Sequence, residues 1–183
     1  MKSIKSFVLA SLVMACTLPL ITQSAHAGAE SGIYLGAGFG DTNIKGPVDG
    51  SDLEFDSTGY KFLLGYNFGV IPLIDLAVEG AYVNMGEETV GGVKFEQTSL
   101  NAIGLAGLSF GPFGIFGKAG FASWDADSSF GGVTTSKSGV DPMYGLGLRL
   151  QLMSLTGRLE IEYYDQDQFD DVTMATFSLL YTF

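Results

Sequence analysis

The sequence has 183 residues, of which 26 are glycine; 46% are hydrophobic and only 16% charged, with 20 acidic side chains against 9 basic ones. A chain of this size is expected to form one domain, and a formal charge of −11 repels nucleic-acid phosphates rather than recruiting them. Beyond the N-terminal segment no apolar run approaches the roughly 20 residues of a membrane-spanning helix, so this chain can cross a membrane only with strands.

At the start of the chain, Lys2 and Lys5 precede an apolar stretch over residues 7–21, interrupted by Thr17 and Pro19, and the small-residue run Ser24, Ala25, His26, Ala27 follows. This is the charged n-region, apolar h-region and A-x-A site of a secretory signal peptide. Residues 1–27 are expected to be removed, with Ala25 and Ala27 as the cleavage positions and 28–183 as the mature domain. Val13-Met14-Ala15-Cys16 weakly resembles a lipobox, but the apolar residues 17–21 that would then open the mature chain read as more h-region. The cut after Ala27 takes away the one cysteine and the one histidine, and with them thiol and imidazole chemistry.

From Ile33 onward apolar residues recur at every second position, in segments of about ten residues, which is the transmembrane-strand pattern. A first segment covers 33–42. A second sets Tyr60, Phe62, Leu64, Tyr66 and Phe68 against Gly59, Lys61, Leu63, Gly65 and Asn67. Segments follow over 75–83, 98–110 and 115–124. The sixth is the clearest: Tyr144, Leu146, Leu148, Leu150 and Leu152 alternate with Gly145, Gly147, Arg149 and Gln151. The seventh opposes Leu159, Ile161 and Tyr163 to Arg158, Glu160, Glu162 and Tyr164, and the last opposes Ala175, Phe177, Leu179, Tyr181 and Phe183 to Met174, Thr176, Ser178, Leu180 and Thr182.

These segments predict an all-β fold, an eight-stranded antiparallel up-and-down transmembrane β-barrel. Its connections alternate in length. Residues 69–73, 111–113 and 153–156 are tight, whereas 43–54, 86–92, 125–141 and 165–171 are long and polar. That order puts both termini and the short turns on the periplasmic side and four long loops outside.

A water-soluble barrel would carry its charges on the outer face. Here Lys61, Glu79, Lys118, Arg149, Arg158, Glu160 and Glu162 all share the face of the glycines and small residues, and the opposite face carries essentially no charge. Lipid would penalise a cation at mid-depth by about 2–4 kcal/mol, so the uncharged face is predicted to be the exterior. Charges inside a narrow lumen must pair. A lumenal salt-bridge network is therefore expected, centred on Lys61, Glu79, Lys118, Arg149 and Glu160 with Arg158 and Glu162 beside them. Gly36, Gly38, Gly65, Gly120, Gly145 and Gly147 would make room for the long side chains. Tyr34, Tyr60, Tyr66, Tyr82, Trp124, Tyr144, Tyr163 and Tyr181 lie toward strand ends, as interfacial girdles require, with a lumenal orientation left open for Tyr34 and Trp124.

The ending Phe177-Ser178-Leu179-Leu180-Tyr181-Thr182-Phe183 resembles the C-terminal assembly signal of outer-membrane proteins, with Leu179, Tyr181 and Phe183 as its alternating apolar positions. The whole mature region is similar to the OmpA-like family of outer-membrane β-barrel domains. The resemblance is carried by Tyr34-Leu35-Gly36-Ala37-Gly38-Phe39-Gly40, Phe116-Gly117-Lys118-Ala119-Gly120-Phe121-Ala122 and Arg158-Leu159-Glu160-Ile161-Glu162-Tyr163-Tyr164-Asp165, together with the terminal Phe. It implies an eight-stranded barrel in a Gram-negative outer membrane, and a lumenal Glu/Lys/Arg network matched by Glu79, Lys118, Arg149 and Glu160. It also implies outer-membrane lipid and lipopolysaccharide as surroundings, and the barrel-assembly machinery as a partner that reads the ending. No peptidoglycan-binding domain is expected after the last strand, and a monomer is expected.

Small barrels of this kind that act as lipid A deacylases or palmitoyltransferases resemble one another in needing a His beside a Ser, and the mature chain is expected to have no His. Glu160 and Glu162, two apart on one strand face, read as structural rather than as a glycosidase pair. The acids Asp125, Asp127, Asp165 and Asp167 lack the glycine and distal Glu of a Ca²⁺ loop, and the glycines at 38–40 lack the lysine and helix of a phosphate loop. The expectation is a non-enzymatic structural and surface-interaction barrel with acidic outer loops, without cofactor or metal. The alternative is a narrow porin-like channel for small solutes or ions.

Overall fold

The computed structural model describes residues 31–48, 51–71, 73–90, 93–130, 133–165 and 171–183. The expected signal segment, with Ala25 and Ala27, lies outside the described residues. Eight antiparallel strands follow in order: β1 (Gly32–Val48), β2 (Ser51–Ile71), β3 (Ile74–Val90), β4 (Val93–Phe110), β5 (Phe113–Phe130), β6 (Val133–Leu152), β7 (Leu155–Tyr164) and β8 (Asp171–Thr182). Each pairs with the next, and β8 pairs with β1 to close the barrel.

Closure carries a stagger. The ladder from Tyr34 through Gly65, Glu79, Ile103, Gly120, Met143, Tyr164 and Val172 returns to β1 at Ile44, ten residues further along. Strands with such a stagger tilt against the barrel axis, so heights within the lumen follow from register rather than from sequence position.

Alternation sorts the side chains by solvent. Leu146, Leu148, Phe62, Leu64 and Leu159 face outward and are exposed, whereas Lys61, Glu79, Lys118, Arg158, Glu160 and Glu162 are buried inside. This is a soluble protein turned inside out, stable only where the exterior is lipid. Tyr60, Tyr82, Tyr144 and Tyr163 ring the upper rim of the apolar band, and Tyr66, Phe110, Phe113, Tyr181 and Phe183 the lower one. Tyr34 and Trp124 turn inward and are buried, settling the orientation that alternation left open.

The lower connections are two-residue turns. Phe110 pairs with Phe113 around Gly111 (φ 64°), and Leu152 pairs with Leu155 around Met153 (φ 55°). Leu73, before β3, has φ 72°. Glycine takes this region freely, while Leu73 and Met153 take it at a cost of about 1–2 kcal/mol each.

The upper connections differ from expectation. The polar stretches 43–54, 86–92 and 125–141 are mostly strand, because β1 to β6 run on above the girdle. Outside the lipid neither face has to be apolar, so the ladder persists while the apolar alternation that marks strands in sequence stops. The rising strands do not close into a ring. Pairing of β2 with β3 reaches only Tyr60–Asn84, and β6 meets β7 only from Met143–Tyr164, with Asp165 N donating to Pro142 O at 3.0 Å just above. Strands β3 to β6 thus continue as a four-stranded sheet, and among the described residues no strand covers the far edge of β6 over 133–141.

Candidate functional site in the charged lumen

Three groups of ionised side chains stack in the lumen. The central one joins Lys61 from β2, Lys118 from β5, and Glu160 and Glu162 from β7. Lys118 Nζ is 2.9 Å from Glu160 Oε1 and also binds Glu162; Lys61 Nζ is 3.2 Å from Glu162 Oε1 and also binds Glu160. Each amine touches both carboxylates, and the four side chains are essentially closed to solvent. The two-residue spacing of Glu160 and Glu162 puts both on one strand face, and Gly145 opposite leaves the space that Lys118 fills. A Cβ there would stand 3.1 Å from Lys118 Cε.

A polar chain leads upward from this group. Tyr164 OH donates to Glu162 (3.4 Å), Asn101 Nδ2 donates to Tyr164 OH (3.2 Å), and Ser99 donates to Asn101. On the other side, Ser178 donates to Glu160 at 3.4 Å.

Below sits the second group. Glu79 Oε2 accepts from Arg158 Nη1 at 2.7 Å and from Tyr34 OH at 3.0 Å. The guanidinium lies between the rings of Tyr34 and Phe116, 5.0 and 5.2 Å from their centroids, a desolvated cation–π arrangement. Tyr34 reaches it because Gly65 opposite has no side chain; a Cβ there would overlap the tyrosine ring. Arg158 Nη1 also lies 4.0 Å from Glu160, linking the two groups.

The third group stands at the periplasmic end. Arg149 Nη2 is 2.6 Å from Asp75 Oδ2, and the Ser109 hydroxyl accepts from Arg149 and donates to Asp75. The structure therefore places Arg149 apart from the central group, while Arg158 and Glu162 are full members of the network. Asp75, Tyr34, Ser109, Asn101 and Tyr164 enter it without having been singled out for it from sequence. With Asp75 included, four cations face four carboxylates. None of the eight is left uncompensated, which is the condition for burying them.

Leu179, Tyr181 and Phe183 project outward toward lipid at the lower end of the barrel, and Tyr181 and Phe183 meet edge to face at 5.0 Å. Among the described residues no group of three or more His, Cys, Asp or Glu side chains is placed to hold a metal ion.

This geometry is that of a membrane barrel filled by its own side chains, and comparison agrees. The model of the outer membrane protein beta-barrel domain family matches residues 10–183. The chain belongs to that family. It resides in the cell outer membrane, its apolar wall in lipid. No curated protein matches it. Among solved structures it resembles Neisserial surface protein A (TM-score 0.64, 13% identity, covering 84% of this chain and 98% of that one). It also resembles Ail, the attachment invasion locus protein of Yersinia pestis (0.60, 20%, 84% and 100%), and the outer membrane enzyme PagL (0.50, 12%, 82% and 99%). At these identities the likeness is one of fold.

Proposed function

We propose that this family member is a non-enzymatic barrel with a structural role in the outer membrane and a surface-interaction role above it. The observation that carries the reading is the sheet of β3 to β6. It rises past the tyrosine girdle, and among the described residues no strand pairs with the far edge of its last strand over 133–141, which leaves the backbone groups of that edge without a ladder partner there. An uncovered edge is a template for another chain.

The register adds charge to this sheet. Glu87, Glu96 and Asp127 stand side by side on β3, β4 and β5, with Asp125 two residues from Asp127. The reading thus keeps the acidic outer surface but puts it on strands. Two relatives by fold have names that speak of a surface protein and of attachment and invasion, which accords with it.

PagL shows that the same fold can carry an enzyme. The described residues of this chain contain neither histidine nor cysteine, and the paired Glu160 and Glu162 are each held by two lysines. Both facts support the non-enzymatic reading. The reading also takes lipopolysaccharide and lipid as neighbours of the wall, the barrel-assembly machinery as reader of Leu179, Tyr181 and Phe183, and a monomer as the working form.

The test is deletion of residues 126–140 with a short turn in their place. The shortened barrel is expected to reach the outer membrane at unchanged level while adhesion of the bacteria to host cells or matrix falls. Unchanged adhesion by a correctly inserted variant would remove the surface-interaction part of the reading.

A further inference from the structure

Above the central ion group the lumen changes character. Met85 lies two residues beyond Val83, the ladder partner of Lys61, and Met143 lies two residues beyond Gly145, the ladder partner of Lys118. Met174 is the ladder partner of Glu162 from β8. These three methionines are buried to within 1% of completely, as are Val83, Val172 and Trp124, and all but Trp124 form with Ala122 the upper part of a packed apolar cluster that continues down the lumen to Leu105, Phe116 and Leu180. Met174 reaches past β1 to β2. Its Cε stands 3.0 Å from where a Cβ on Gly59 of β2 would be, beside the Met85 backbone.

Trp124 lies higher, over Gly139, its ladder partner on β6. A Cβ at Gly139 would come within 2.9 Å of the indole, and the indole N–H donates to Asp141 at 2.5 Å. Polar side chains are buried in this half of the barrel too: Ser99 and Asn101 are bonded to each other and to Tyr164, and Thr42, the ladder partner of Met174, is a single buried hydroxyl without a partner.

The periplasmic end is the opposite. A cavity of about 40 Å³ is lined there by Tyr34, Asn67, Asp75, Arg149, Gln151 and Arg158, among others. That is space for about three or four waters, since one needs about 10–15 Å³. Three lining groups, Asn67 Oδ1, Asp75 Oδ1 and Arg158 Nε, are buried and have no protein hydrogen-bond partner. Two acceptors and a donor around one small space are what bridging waters satisfy.

The geometry points to a lumen that is a cup: it holds bound water at its periplasmic end, and its outer mouth is shut by a dry cap of Met85, Met143, Met174, Val83, Val172 and Trp124 that by itself stops ions. Apolar constrictions block ions by excluding water, and thioether side chains adapt their shape to close an irregular gap. The charged network and the cap then stand in series. The network holds the wall in shape, and its neutralisation alone leaves the pore closed.

The experiment is planar-bilayer recording of the refolded chain and three variants, with the heat-dependent gel shift of folded barrels as the control for folding. The first variant neutralises the network (Lys61→Met, Lys118→Met, Glu160→Gln, Glu162→Gln), the second opens the cap (Met85→Ser, Met143→Ser, Met174→Ser), and the third combines them. Discrete openings are expected only from the combination. Openings from the folded network variant alone, or silence from the folded combination, overturn the cap.

A second measurement needs only mild substitutions. In a Cys16→Ser background, Gln151→Cys at the cavity is expected to react with a small water-soluble thiol reagent, and Ala122→Cys in the cap to resist it. Equal rates at the two positions overturn the proposal.

Discussion

Two ion pairs in this molecule have the same length and different surroundings. Lys118 and Glu160 meet at 2.9 Å with both side chains fully buried, and Lys94 and Glu87 meet at 2.9 Å with about half of each side chain in solvent. In water the second pair exchanges hydration for a contact of nearly equal worth. At the closed centre of the lumen no hydration is available for exchange, so the first pair is obligatory once either member is present. Distance says little about what an ion pair does; its surroundings decide.

The largest effect is expected where the comparison is most extreme. Glu160→Ala leaves Lys61 and Lys118 sharing one carboxylate, and should cost about 3–5 kcal/mol, the range for an uncompensated buried charge. Urea unfolding of the protein refolded in lipid vesicles measures it, and a cost below that of a surface substitution would break the contrast.

Next comes a charge set down on the other side of the same wall. Leu146→Arg puts a guanidinium in lipid near mid-depth and should cost about 2–4 kcal/mol in the same assay. If it were harmless, the outward face would not be the lipid face.

An intermediate case lies at the periplasmic end, where the Arg149–Asp75 pair is slightly exposed. Asp75→Asn keeps a partner for Ser109 and removes the charge, for an expected loss of about 1.5 kcal/mol, at the low end for hydrogen bonds to charged groups.

The smallest effect belongs to the exposed pair. The hydrogen bond to Glu87, reinforced by its charge, holds the Lys94 amine above the usual lysine range. A raised amine pKa contributes stability that is present below the unfolded value and is lost as pH rises through the folded one. On so open a pair that loss is screened. The unfolding midpoints of the parent chain and Glu87→Gln are expected to coincide throughout an alkaline titration, and a separation that grows toward neutral pH would show the pair to matter more than its exposure allows.

The sides of the wall were legible because lipid enforces a strict period. Leu146, Leu148 and Leu150 against Gly145, Gly147 and Arg149 admit one orientation, and Lys61, Glu79, Lys118, Arg158, Glu160 and Glu162 follow the same rule. Partners were not legible. Arg149 follows the glycine face as Lys118 does, yet it meets Asp75, which shares the face of Glu79 but stands at the strand end, and alternation gives the face of each residue without giving its partner across the barrel. Tyr34 reads equally well as a girdle residue until the ring-shaped gap over Gly65 is seen. The rising parts of β1 to β6 carry no such signal for a related reason. Where no lipid demands an apolar face, polar residues suit either side and the period that reveals strands vanishes, although the backbone pairing goes on.

The ten-residue stagger makes register a property of the whole ring. One residue inserted within any membrane-spanning segment would exchange its lipid set for its lumenal set, turning Lys118 or Glu160 out into hydrocarbon. Two inserted residues would restore the sides but leave β8 offset from β1 and demand a barrel of different girth. Length change in this molecule is therefore confined to the parts outside the bilayer, where a strand can grow without the other seven having to follow.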